Sequence, residues 1–71
     1  MVTAVLLRFD TVLRERSRPD GETDRYWCVT DRKYRGFLVL KVNASYPGAE
    51  DVARNYASRL NAKWLKERDQ N

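Results

Sequence analysis

Two short runs of hydrophobic side chains stand out in the middle of the chain. Residues 24–30 (DRYWCVT) and 36–43 (GFLVLKVN) combine aromatic and β-branched residues over the length of a typical strand. The five residues between them, 31–35 (DRKYR), are polar and mostly basic. The pattern predicts two strands joined by a basic hairpin loop, with Gly36 at the start of the second strand.

The segment 2–16 (VTAVLLRFDTVLRER) fits two patterns. Its apolar positions recur at helical spacing, and two arginines and a proline follow as helix stop signals. The same segment alternates as a strand and is rich in β-branched residues. The sequence RPDG at Arg18–Gly21 is typical of a type I turn, so we favour a strand that enters a hairpin.

A hairpin centred on Arg18–Gly21 determines which residues of its two strands are paired. It places Leu13 opposite Cys28 and Arg14 opposite Trp27. We therefore expect a cation–π contact between the Arg14 guanidinium and the Trp27 ring.

Residues 49–66 (AEDVARNYASRLNAKWLK) show the clearest helical pattern. Acidic residues occupy the first turn and basic residues the last, which matches the helix dipole. We expect ordered helix to end near Lys66 and residues 67–71 to fray. The predicted apolar face consists of Val52, Ala53, Tyr56, Ala57, Leu60 and Trp64.

These elements predict one small α+β domain over residues 1–71. Its fold is a three-stranded antiparallel meander with a C-terminal helix packed on one face. The alternative is an α-β-β-α domain in which residues 2–16 form a helix.

The strands are apolar on both sides, which one helix cannot cover. In residues 37–42, simple alternation places Leu38, Leu40 and Val42 on one face and Phe37 and Val39 on the other. The second face is then covered by another copy of the chain, by a different protein, or by residues 2–16 as a helix. Apolar area left in water favours one of these partners.

The composition argues against an enzyme. The 71 residues contain no histidine, the commonest general base and metal ligand, and one cysteine. Cys28 is expected to be a buried hydrophobic side chain, Glu50 and Asp51 a helix N-terminus, and residues 20–24 a solvated turn. No catalytic residue, metal site or cofactor is predicted. With no membrane-length apolar run and no signal peptide, we expect a cytoplasmic protein.

The net charge of +4 comes from one stretch, residues 25–41, which contains five basic residues and one acidic residue. We therefore predict a small non-enzymatic protein that docks on a partner protein as an inhibitor or adaptor and self-associates as a homodimer. Its size suits such proteins from phages and mobile elements. The predicted partner-binding residues are Arg32, Lys33, Tyr34, Arg35, Phe37 and Val39.

The alternative function is nucleic-acid binding. Basic side chains interleaved with aromatic ones can follow a phosphate backbone and stack on bases. The basic hairpin at 31–36 and a basic ridge on the C-terminal helix would form this surface. Its predicted residues are Arg25, Arg32, Lys33, Arg35, Lys41, Arg59, Lys63 and Lys66.

Overall fold

The structure, a computed structural model, describes residues 6–69. Three strands, β1 (Phe9–Ser17), β2 (Thr23–Asp31) and β3 (Phe37–Asn43), are followed by one helix, α1 (Ala49–Asp69). The strands form one antiparallel sheet in the order β1-β2-β3, and α1 packs on one of its faces. The α+β meander is confirmed, and the α-β-β-α alternative is wrong because 9–17 is a strand. Residues 2–5 of that segment lie outside the described part.

The first hairpin contains the predicted turn but pairs its strands one residue differently. Leu13 lies opposite Trp27 and Arg14 opposite Tyr26, so both predicted pairs are wrong. The predicted pairs require four loop residues, with Arg18 opposite Thr23. In the structure Arg18 N–H donates to the Glu22 carbonyl, and the loop contains three residues that end in Gly21, whose left-handed φ of +89° is typical of three-residue hairpins. Because the loop is one residue shorter than predicted, the whole ladder shifts by one position.

The second hairpin contains a β-bulge that the alternation pattern missed. Leu40 pairs with Val29 and Leu38 with Thr30, so Val39 is the extra residue. Val39 and Leu40 both pack against the core under α1, while Leu38 pairs on the other face. The predicted assignment of Leu38 and Val39 to faces is therefore wrong.

Small side chains bring the helix close to the sheet. Ala49, Ala53 and Ala57 are buried at four-residue intervals along α1. Ala53 and Ala57 form the core with Val29, surrounded by larger, partly buried side chains. Two predicted core residues, Val52 and Tyr56, instead lie on the flank of α1, 46% and 41% exposed. The partly buried side chains are Phe9, Trp27, Val39, Leu40 and Leu60.

Asn61 fastens the helix to strand β1. Its side-chain Nδ2 donates to the Phe9 carbonyl at 2.9 Å, and its Oδ1 accepts from the Phe9 N–H at 2.8 Å. The helix continues to Asp69, beyond the predicted end at Lys66. Glu67 in this last turn is exposed, and its negative charge interacts favourably with the positive charge of Arg8. Residues 70 and 71 of the predicted frayed end lie outside the described part.

The molecule is elongated, with extents of 50 × 24 × 24 Å. Pairing with β3 starts at Tyr26, so residues 15–25 form a two-stranded arm beyond the body. Most side chains of this arm are charged and exposed, and they form ion pairs with each other, such as Glu15 with Arg25 at 3.0 Å. The turn at 31–36 lies at the opposite end of the β2 strand.

Candidate functional site

The basic loop between β2 and β3 is a rigid turn. Residues Arg32–Tyr34 form a single-turn 3₁₀ helix. The Asp31 carboxylate caps it by accepting from the Lys33 N–H at 3.0 Å. Two backbone hydrogen bonds close its C-terminal side, from Arg35 N–H to Arg32 at 3.3 Å and from Gly36 N–H to Asp31 at 2.9 Å. The backbone that presents the basic residues is therefore fixed at both ends.

A nearly buried ion pair anchors this turn to β1. Nε and Nη2 of Arg8 donate to the two oxygens of Asp31, each at 2.8 Å, and the Asp31 side chain is only 6% exposed. These hydrogen bonds hold the pKa of Asp31 below its usual value and raise the pKa of Arg8. Asp31 thus serves at once as the cap of the turn and as the partner of Arg8.

The same arginine positions the aromatic side chains around the turn. The Arg8 guanidinium carbon lies 4.9 Å from the centre of the Phe9 ring and 5.5 Å from that of the Tyr34 ring. Lys33 Nζ contacts Tyr34 as well, at 5.6 Å. Tyr34 nevertheless remains 59% exposed and Phe37 66% exposed. Two aromatic side chains therefore face solvent beside a fixed turn.

Arg35 stores backbone strain in this turn. Its φ of +55° is left-handed, and it is the one non-glycine residue with positive φ within 6–69. A side chain in this region costs roughly 1–2 kcal/mol, which glycine or asparagine would reduce. The Arg35 side chain is exposed.

Five of the six predicted partner-binding residues are exposed together at this end of the molecule. We call them the turn patch: Arg32, Lys33, Tyr34, Arg35 and Phe37. The sixth, Val39, is at the bulge and packs against the core, so it does not lie on this surface.

The predicted nucleic-acid residues are divided among different parts of the molecule. Arg25 pairs with Glu15 on the arm, and Arg32 pairs with Asp10 at 2.5 Å. Lys41 lies on the sheet face opposite the helix, 4.2 Å from the Tyr26 ring centre. The remaining five, Lys33, Arg35, Arg59, Lys63 and Lys66, are exposed on the turn or on α1.

A shallow cleft next to the turn patch was not predicted. Its volume is about 260 Å³, and Leu6, Leu7 and Trp64 provide its apolar lining beside Arg32 and Lys33. A neighbouring cleft of about 200 Å³ includes Lys63 and shares Arg8 and Trp64 with the first. Sequence reasoning missed Arg8 and Trp64 here because only the fold brings residues 6–8, 32–33 and 64 together.

The sheet face opposite the helix, here called the open face, is less apolar than predicted. No element within 6–69 covers it. Cys28 and Thr30 are nonetheless buried at its centre, because longer side chains of all three strands surround them. Cys28 is a buried thiol, as expected, and its Sγ lies 3.8 Å from the Tyr26 carbonyl oxygen. The side chains around Cys28 include Arg14, Arg16, Tyr26, Leu38 and Lys41.

Comparisons with known proteins add no relative. No protein-family model, no curated protein and no solved structure matches this chain. Within the described residues, no three acidic or cysteine side chains are grouped so as to hold a metal ion. The one described helix lacks the apolar stretch that crossing a bilayer requires.

Proposed function

We propose that this chain is a non-enzymatic binding protein that docks through the turn patch on an acidic surface of a partner protein. The observation that carries the proposal is the exposure of Tyr34 and Phe37 on a backbone fixed by the Arg8–Asp31 pair. Tyrosine and arginine are enriched among the residues that dominate binding energy at interfaces. Inhibitors and adaptors act by docking of this kind.

Rigidity of the turn supports the proposal on energetic grounds. A loop that is ordered only on binding loses conformational entropy and therefore affinity. Here the 3₁₀ helix is capped at Asp31, and Tyr34 is held by two cations. The turn patch would then bind with little further ordering of its backbone.

The charge of this end supports an acidic partner. Lys33 and Arg35 are exposed in the turn and form no ion pair among residues 6–69, whereas Arg32 pairs with Asp10 and Asp31 is neutralised by Arg8. Complementary charge mainly increases the association rate and selects against basic surfaces. Contacts of Tyr34 and Phe37 would supply most of the affinity.

A second candidate function, nucleic-acid binding, is supported by one observation. Lys33 and Lys63 line neighbouring clefts that share Arg8 and Trp64, so basic side chains of the turn and the helix lie around one exposed region. A phosphate backbone could follow these cations. Ion pairing of Arg25 and Arg32 reduces the charge available for it.

Selection from a random peptide library tests docking directly, because it requires no identified partner. The immobilised probes are the wild-type chain, a Tyr34→Ala/Phe37→Ala double variant, and a Tyr46→Ala control. Tyr46 is 64% exposed in the turn before α1, outside the turn patch. We expect selected peptides to be rich in Asp and Glu and to bind the double variant roughly tenfold or more weakly. The control should bind them like wild type.

Two outcomes would contradict protein docking. Selected peptides could show no acidic preference, or they could bind the double variant as well as wild type. Binding of random-sequence duplex DNA, measured at two salt concentrations, runs in parallel. Tight binding that falls steeply with salt, together with either contradictory peptide result, would favour the nucleic-acid function.

A further inference from the structure

The outer edge of β1 presents unpaired backbone groups. The Arg8 carbonyl accepts from Arg32 N–H at 2.8 Å, and Arg18 N–H donates to the Glu22 carbonyl at 2.7 Å. Hydrogen-bonded and non-hydrogen-bonded pairs alternate in an antiparallel ladder, so the even-numbered residues of β1 bond to β2. The N–H and C=O groups of Thr11, Leu13 and Glu15 therefore point away from the sheet.

Asn61 shows that this edge accepts a strand-like partner. Its amide bonds both backbone groups of Phe9, as a residue of a fourth strand would. The next outward positions, Thr11 and Leu13, have no such partner among residues 6–69. Beside them, a groove of about 530 Å³ separates β1 from α1. Its lining includes small side chains on both sides: Thr11, Ala57, Ser58 and Ala62.

The other edge of the sheet is less suited to pairing. Strand β3 contains the bulge at Val39, which interrupts the regular spacing of backbone groups. It also carries a lysine, Lys41. Bulges and lysines are the features by which edge strands resist pairing. Residues 10–13 of β1 have neither feature.

We propose that β1 pairs antiparallel with β1 of a second copy of this chain, which gives a dimer with a continuous six-stranded sheet. The charge pattern of β1 is complementary to itself. A two-fold axis at Val12 places Asp10 opposite Arg14 of the other copy, and an axis at Leu13 places it opposite Arg16. With either axis, residues whose backbone N–H and C=O groups point outward lie opposite residues of the same kind in the other copy, as hydrogen bonding between the strands requires.

Neighbouring registers are disfavoured. An axis at Thr11 uses the backbone of Phe9, which Asn61 already occupies, in the pairs next to the axis, whereas axes at Val12 and Leu13 reach Phe9 only at the ends of the ladder. An axis at Arg14 brings two arginines together. In the two favoured registers Asp10 can accept a second arginine, because Arg32 bonds Oδ2 and no described residue bonds Oδ1.

The dimer would also cover apolar surface that the monomer exposes. Leu13 is 46% exposed at the edge of the helix-covered face. With the axis at Val12, the Leu13 side chain of one copy lies opposite Thr11, which lines the groove of the other. With the axis at Leu13, the two Leu13 side chains lie opposite each other. This edge is separate from the turn patch, so self-pairing and docking can succeed or fail independently.

Sedimentation of the protein at concentrations from about 1 μM to about 500 μM tests the proposal, because the fraction of dimer rises with protein concentration. In Leu13→Pro the lost N–H points outward, so no bond to β2 is removed while strand pairing is blocked. A second variant, Arg14→Glu/Arg16→Glu, removes the charge complementarity. We expect wild type to dimerise and both variants to dimerise roughly tenfold or more weakly.

The controls are Tyr34→Ala in the turn patch and Arg59→Glu on α1, which should dimerise like wild type. Circular dichroism reports whether each variant is folded. If Leu13→Pro is unfolded, the dimerisation of Arg14→Glu/Arg16→Glu alone tests the proposal. A wild type that stays monomeric throughout would overturn the proposal and leave the edge to a strand from another protein. Unchanged dimerisation of the folded variants would overturn it as well.

Discussion

At the scale of single residues, the negative charge of Asp31 contributes to the stability of the fold. Its carboxylate pairs with Arg8 and caps the 3₁₀ helix, and these bonds place its pKa below the ordinary 3.8. A group with a lowered pKa stabilises the folded state fully above its unfolded pKa. That contribution disappears as the pH falls through the folded pKa.

We therefore expect acid to remove part of the stability, and Asp31→Asn to remove it at every pH. Asparagine keeps the capping oxygen, so the variant isolates the effect of the charge. At pH 7 its Tm should be lower by roughly 5 °C, and its stability should change less between pH 5 and pH 2. Thermal unfolding across this range is the measurement.

The matched control for Asp31→Asn is Asp20→Asn. Asp20 also pairs with an arginine, Arg18 at 2.9 Å, but its side chain is 51% exposed. Exposed ion pairs contribute little, so the control should unfold like wild type. Identical pH profiles for Asp31→Asn and wild type would show that the Arg8–Asp31 pair does not stabilise the fold.

At the scale of elements, the alanine stripe of α1 determines how closely the helix approaches the sheet. Ala53 is completely buried against Val29. Ala53→Leu adds atoms where no space exists, and overpacking of this kind costs about 1–3 kcal/mol. The control, Ala62→Leu, is at an exposed position of the same helix and should change stability by less than about 0.5 kcal/mol. Urea unfolding measures both free energies.

The opposite result would identify a different packing of α1. If Ala53→Leu unfolds like wild type and Ala62→Leu is the destabilised variant, the helix is rotated relative to the structure. The sequence pattern does not indicate such a rotation, because its apolar face includes Ala53, but it wrongly adds Val52 and Tyr56, which lie on the flank of α1. It fails because larger apolar residues are not the ones that fit closest to the sheet.

Local patterns were sufficient to predict the elements and their order, but not every face and contact. The turn at Arg18–Gly21 was identified from its residues, and Cys28 is buried as expected. The register was missed because the predicted pairs imply a loop of four residues, whereas the left-handed Gly21 closes a loop of three. In β3 one bulge reversed the faces of two residues.

The candidate site was predicted only in its exposed part. The residues of the turn patch all lie within the six positions 32–37, so composition was enough to find them. The Arg8–Asp31 pair joins residues 23 positions apart, and the Asn61–Phe9 bonds join residues 52 apart. No pattern of period two or 3.6 predicts such contacts, because they depend on how the completed elements pack.

At the scale of the whole molecule, the body and the arm should differ in local stability. The body has a sheet of three strands covered by a helix, whereas the arm at 15–25 is an exposed two-stranded ribbon held by surface ion pairs. A lone hairpin is marginally stable in water. The arm should therefore open locally, without unfolding of the body.

Hydrogen exchange of four amides in the same ladder tests this difference. Arg16 and Asp24 form a hydrogen-bonded pair in the arm, and Val12 and Cys28 form one in the body. We expect the arm amides to exchange roughly ten- to a hundredfold faster than the body amides. None of the four points toward the outer edge of β1, so dimerisation would not protect them directly. Equal rates would mean that arm and body unfold as one unit, and that the charged tip contributes to the stability of the whole sheet.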